Sequence, residues 1–345
     1  MLLLCYSLFH YILYYYLFLI LFFVITYIEQ HLYFLVQMKI AIIDGVHQDI
    51  GLKMLFPSAD YYIHTEDKSK VHDIQLNKNW LNITDQNYDY LFIVIALYDT
   101  KPNTKFFKQD IHTILQKELE IINTNNFKKV FIFDNYDYDY DPNEIVNNNK
   151  INLFFKRNYN KTRQYKENVV PFPFIMFGDV SIIEKIEKSV NYELSNKKPR
   201  IFFTGNLFEH NDPQINYYRN RRNIYNKISR FIFNPGNLEY NSFLQEIRMS
   251  MFALDLNGVG DPNKRTFEIL SQRTLMISEY NNLKWPFDEI FSEETVFTDE
   301  TDFVKKVQTL VNDENLYKKC LDNQNSIYNK YFNKEWIRNY IIGYL

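Results

Sequence analysis

An α/β protein built from two domains, each a mostly parallel sheet flanked by helices, is what this chain predicts. Three observations lead there. Its 345 residues exceed what one hydrophobic core normally supports. From Met38 onward short apolar runs alternate with helix-length amphipathic stretches. Residues 250–277 read as a complete strand, loop, helix and strand unit.

Within that last unit, residues 251–256 are too short and too apolar for a surface helix, and a second strand follows at 275–277 after one helix-length connection. Asp261 is a preferred N-cap residue and Pro262 suits the first helical position, where its missing N–H is not needed. Lys264 and Arg265 then fall in the first turn. Positive side chains there oppose the helix macrodipole by roughly 0.3–1 kcal/mol each, so an anion such as phosphate is expected at that end. The competing reading makes Arg265 and Glu268 an i,i+3 ion pair on a solvated helix face.

In the first half, residues 39–43 form the first expected strand, with Asp44, Gly45, Val46 and His47 in the loop at its carboxyl end. Further strands are expected at 61–64, 89–97 and 130–133, and a helix at 105–122. This sheet is Rossmann-like but lacks the GxGxxG dinucleotide fingerprint. The alternating aspartates Asp134, Asp137, Asp139 and Asp141 have the look of a metal-binding DxD run, but they end in Pro142 and an Asn-rich stretch, which favours a solvated loop. Pro171 and Pro173 hold the chain extended, as in a linker or sheet edge.

A helix at 182–194 leads to Lys197–Arg200, where the second domain is expected to begin. Its first strand runs through Ile201 to Gly205 and Asn206, and a basic helix at 216–229 carries Arg219, Arg221, Arg222 and Lys227. Residues 231–233, 243–249, 287–297 and 302–323 supply the remaining elements, and 336–345 a last helix. The resulting division is a hydrophobic segment at 1–37, a first domain at 38–175, a linker helix at 176–199, a second domain at 200–330 and a terminal helix at 331–345.

Residues 1–28 carry no charged side chain and are long enough to span a bilayer, yet no Lys or Arg precedes Lys39. A membrane anchor and a mis-assigned start at Met1 are both open, so residues 1–37 are set aside. Inserted, the segment would leave the remainder in the cytoplasm because of Lys39 and Lys53. A net charge of −3 gives no nucleic-acid footprint, and Cys5 and Cys320 make neither a disulfide framework nor a zinc site.

The stretch with Gly258, Gly260, Arg265, Glu268 and strand 275–277 resembles the donor-binding segment of GT-B glycosyltransferases of the exostosin-like and family 1 type. It departs from that pattern at Gly260, where the family has an acid, and at Gln272 and Arg273, where it has a turn glycine. The resemblance implies two Rossmann-like domains facing a cleft, and transfer of a sugar from a nucleotide-sugar donor to a glycan, protein or lipid acceptor, with no cofactor or metal. It implies that Lys264 and Arg265 contact the diphosphate and Glu268 the ribose, with Gly205, Asn206, Arg222, Asn257 and Gly258 completing the donor site. Asp44 and His47 are the expected catalytic residues, as base for the acceptor hydroxyl. A nucleotide- or sugar-binding protein without transfer, and a membrane-anchored structural protein, are the alternatives.

Overall fold

The computed structural model describes residues 16–18, 20, 22, 38–44, 51–63, 78–79, 83, 87–95, 116–134, 141–148, 150–172, 196–205, 207, 216–257, 264–289 and 291–345. The first sheet contains β1 (Ile40–Asp44), β2 (Asp60–Ile63), β3 (Lys78–Asn79), β4 (Tyr90–Ile95), β5 (Lys129–Asp134), β6 (Leu153–Lys156) and β7 (Val169–Pro171). Their order is β3-β2-β1-β4-β5-β6-β7, and every neighbouring pair is parallel. The helices described around it are α1 (Gly51–Leu55), α2 (Gln116–Thr124) and α3 (Asn143–Asn148).

β-Branched and aromatic residues make these segments strands, and burial on both faces makes the sheet parallel. Every residue of β4 is buried. Ile40, Ile42, Phe92, Val94, Phe131 and Phe133 face one core, whereas Ala41, Ile43, Leu91, Ile93, Val130 and Ile132 face the other. The edge expected from Pro171 is β7. Its proline closes a strand with one neighbour among the described residues, where a missing N–H is tolerated. β6 is a fully buried strand.

The second sheet has the order β12-β11-β10-β8-β9, again all parallel. Its strands are β8 (Lys198–Phe202), β9 (Ile232–Phe233), β10 (Ser250–Asp255), β11 (Leu275–Glu279) and β12 (Val296–Phe297). The helices are α4 (Asn216–Ile228), α5 (Tyr240–Met249), α6 (Lys264–Ser271), α7 (Glu300–Asn312), α8 (Glu314–Tyr331) and α9 (Lys334–Ile342). Residues 302–323, expected to supply part of the end of this domain, fall in two helices. Asp313 ends α7 and its carboxylate accepts from the Leu316 N–H at 2.9 Å, which starts α8 anew. In α8 the buried Gln324 amide bonds both the N–H and the carbonyl of Met276 on β11, at 2.9 and 3.0 Å.

Where the resembled pattern has a turn glycine between helix and strand, Arg273 adopts φ 52°. The left-handed turn is therefore kept although its residue is not glycine.

The terminal helix returns to the first sheet. Ile337 and Ile341 are buried in the core with Ile40, Phe92 and Phe155. Tyr340 donates to the Pro171 carbonyl at 2.8 Å and Lys129 to the Tyr344 carbonyl at 2.7 Å. A second crossing joins the carboxyl edges of the two sheets. Residues 159–161, beyond β6, meet 282–284, beyond β11, in an antiparallel bridge between Asn160 and Leu283. Lys161 N–H donates to the Asn282 carbonyl at 2.7 Å and Lys284 N–H to the Tyr159 carbonyl at 2.9 Å. The two strand-end edges thus face one another at this seam.

Among the described residues no helix is long and apolar enough to cross a membrane, and no group of three or more acidic, His or Cys residues could hold a metal. Segment 1–37 lies outside the described residues except at positions 16–18, 20 and 22. The expected helix at 182–194 and the aspartates at 137 and 139 also lie outside them. Of the remaining acids in that run, Asp134 is buried and paired with Lys156 at 2.6 Å, and Asp141 accepts from the Asn143 N–H at 2.9 Å.

If α9 forms one wall of the first core, Ile341→Ala should destabilise the protein by about 2–4 kcal/mol, the cost of an aliphatic deletion at a closed site. Chemical unfolding measures this, and a loss below about 1 kcal/mol would show that the helix is only loosely docked.

Candidate functional site

The two middle strands β8 and β10 run side by side, but their following connections leave to opposite sides, which opens a crevice at their carboxyl ends. Four elements converge on it. Gly205 follows β8, Asp255 ends β10 with Asn257 just beyond it, Arg221 projects from α4, and Lys264 and Arg265 open the described part of α6.

The central contact is between Arg265 and Gly205. A Cβ built on Gly205 would lie 2.7 Å from both terminal guanidinium nitrogens, so the guanidinium occupies the space that any other residue would fill. The same group sits 4.8 Å from the Phe203 ring centroid. Burial lowers the Arg265 group from its ordinary value, with Asp255 acting against this, and the guanidinium stays charged at any working pH.

Asp255 lies within electrostatic reach of this arginine. Its Oδ2 accepts from the Thr266 hydroxyl at 2.7 Å, whereas its buried Oδ1 has no hydrogen-bond partner among the described residues. Burial raises the Asp255 carboxyl above its ordinary range, opposed by the Thr266 bond and by Arg265 and Arg221. Glu279, on the neighbouring strand end, is raised in the same way by burial, opposed by the Asn257 N–H that its Oε2 accepts at 2.9 Å. Arg221 donates to the Asn257 carbonyl at 3.0 Å, tying α4 to the end of β10.

The structure places the expected residues unevenly. Gly205 and Arg265 are in contact, and Asn257 lies two residues beyond the adjoining strand. Lys264 lies 3.7 Å from Glu268 and 4.5 Å from the Tyr240 ring centroid. Glu268 is buried, so it does not belong to a solvated face. Arg221 is the α4 residue seen to reach the strand end, whereas expectation fell on the adjacent, half-buried Arg222. Asp44 ends β1 on the carboxyl edge of the first sheet. Asn206, Gly258 and His47, with the expected caps Asp261 and Pro262, lie outside the described residues.

Sequence reading passed over Asp255, Glu279 and Arg221. The one signal for them was position, since each sits at or faces a strand end already expected to line a crevice.

No family model matches the chain, and no curated protein matches it by sequence. Solved structures do match it in shape. HepE of Anabaena in complex with UDP aligns at a TM-score of 0.52 and 11% identity, over 89% of this chain and 99% of that one. The fold is GT-B. HepE in complex with UDP-glucose gives a TM-score of 0.51 at 11% identity over the same shares. T4 phage β-glucosyltransferase gives 0.46 at 12% identity, over 89% of this chain and 99% of that one. In GT-B terms the first sheet is the N-terminal domain and the second the C-terminal domain, with α9 crossing back.

Gly205→Ala is expected to push the Arg265 guanidinium aside, because a flexible side-chain end yields before backbone does. Stability should change by less than about 1 kcal/mol, while affinity for inorganic pyrophosphate should fall about tenfold, or about 1.4 kcal/mol. Calorimetric titration and thermal unfolding of the one variant read both quantities. Unchanged affinity would mean that the guanidinium position does not matter to anions.

The raised carboxyls set a pH dependence. Asp255 and Glu279 keep their protons to higher pH in the folded chain than in the unfolded one. The folded state therefore binds more protons over that window, and stability falls as pH rises above about 4, the ordinary carboxyl range. Asp255→Asn removes one of the two titrations and should make that decline shallower. Denaturant unfolding at a series of pH values tests this, and an identical slope in the variant would contradict the assignment.

Proposed function

We propose that this chain transfers a sugar from a nucleotide-sugar donor to an acceptor hydroxyl, with the donor held at the carboxyl edge of its second sheet. The observation that carries the reading is the Arg265 guanidinium lodged against Gly205 where β8, β10 and α6 converge. A fixed cation beside a helix start, at a topological switch point, is an arrangement suited to a diphosphate. The likeness in fold to HepE, which was solved with UDP and with UDP-glucose, supports the uridine nucleotide as first choice.

In this reading Arg265 and Lys264 take the charge that develops on the departing diphosphate, assisted by backbone N–H groups after β10. These groups do so without a metal. Glu268 accepts the ribose hydroxyls, and Arg221 orients the strand end that approaches the phosphates. The acceptor enters from the N-terminal domain, where Asp44 stands at the end of β1, and His47 follows it in the chain. One of these two removes the acceptor proton. The finer assignment to the exostosin-like or family 1 type rests on Gly258, Gly260, Arg265, Glu268 and the strand β11.

Arg265→Ala should weaken UDP binding by about 1.5–3 kcal/mol, the range for hydrogen bonds to charged groups, and leave uridine binding nearly unchanged. Glu268→Gln should weaken UDP and uridine alike, since ribose is common to both. Calorimetry on the four combinations is the measurement. Equal, small effects throughout would remove the donor-site reading.

A further inference from the structure

Next to the arginine crevice, on the β11 and β12 side, lies a cavity of about 370 Å³, within the ~300–1,000 Å³ usual for small-molecule sites. It shares Asp255 and Thr266 with the crevice and is walled by Met276, Trp285 and Phe291. Lys161 of the N-terminal domain stands at its margin. We propose that this cavity receives the sugar of the donor and confines it to a neutral hexose, rejecting a uronic acid, an inference that rests on the donor-site reading above.

The position follows from Asp255. Its carboxylate lies within electrostatic reach of Arg265 and also lines the cavity. A group attached to a phosphate held by Arg265 can therefore enter the cavity without that phosphate leaving its cation. The chemistry follows from which polar atoms are still free. Asn281 is already engaged, donating to Asn257 at 3.3 Å and accepting from Leu283 at 3.2 Å. Asn257 donates to the Tyr280 carbonyl at 2.8 Å. The buried Oδ1 of Asp255, by contrast, accepts nothing among the described residues. A buried acceptor in that condition is satisfied by a ligand that brings a donor, and a sugar hydroxyl brings one.

The sign of the lining then selects among sugars. Asp255, Glu279 and Glu293 contribute three carboxyl groups. Of these Glu293 is exposed, as is Lys161 at the margin, and Lys306 is held by Asp302 at 3.0 Å. Burial already disfavours the charged form of Asp255 and Glu279. A further carboxylate brought in on a sugar would have to shed water beside these two carboxyl groups, whereas a hydroxymethyl group would not.

Calorimetric titration of the full chain with UDP, UDP-glucose and UDP-glucuronate tests this. UDP should bind, and UDP-glucose should bind at least tenfold more tightly than UDP-glucuronate. In Glu279→Gln and, separately, Glu293→Gln, the ratio should shrink, to below threefold in at least one of them. Equal affinities in the wild-type protein, or tighter binding of the glucuronate, would overturn the proposal. A tenfold ratio kept in both variants would overturn it too, since the carboxyls would then not be the discriminating groups. Failure of UDP itself to bind is a separate outcome, which removes the donor-site reading and this inference with it.

Discussion

The absence of one methyl-sized group organises the second domain. Because Gly205 has no side chain, the Arg265 guanidinium can lie directly on the end of β8, with Phe203 beneath it and Asp255 alongside. Removing such a charge from water is costly unless compensating charge stands near it, and Asp255 provides that. Asp255 is in turn only partly satisfied, with one oxygen bonded to Thr266 and the other left open. The crevice thus offers a cation for an anion and an open carboxyl oxygen for a hydrogen-bond donor. Both needs arise from the same buried pair.

Much of this domain could be read from the chain. The unit around β10, α6 and β11 was legible because strand, helix and strand differ in period and length. Arg265 could be singled out for a chemical reason, as a cation where a helix was expected to begin, whereas Gly205 came only with the family resemblance. Other features were hidden by the physics that makes them work. Arg221 and Arg222 are adjacent on a helix, and only the exact pitch and placement of α4 decide which one reaches Asn257. Asp255 ends an apolar strand, a position where sequence alone does not say whether the carboxyl is buried.

Arg273 illustrates how a pattern can survive the loss of its usual residue. A left-handed position costs a non-glycine residue roughly 1–2 kcal/mol. Yet the chain accepts φ 52° there, because the turn must bring Thr274 and β11 back against β10. Thr274 is buried and its hydroxyl donates to the Ile247 carbonyl at 2.8 Å, which anchors the far side of the turn. Geometry, rather than residue identity, is what this connection preserves.

The return of α9 to the first sheet has a consequence for how the chain can acquire its structure. Ile337 and Ile341 complete a core whose other members lie between Met38 and Phe172, so one wall of the first domain is encoded more than 160 residues after its last described strand. During synthesis that wall emerges only after the whole second domain has left the ribosome. Until then the sheet carries an open apolar face. The first domain is therefore the earlier to begin folding and the later to finish, and cutting the chain between the sheets would yield two pieces of which one is never closed.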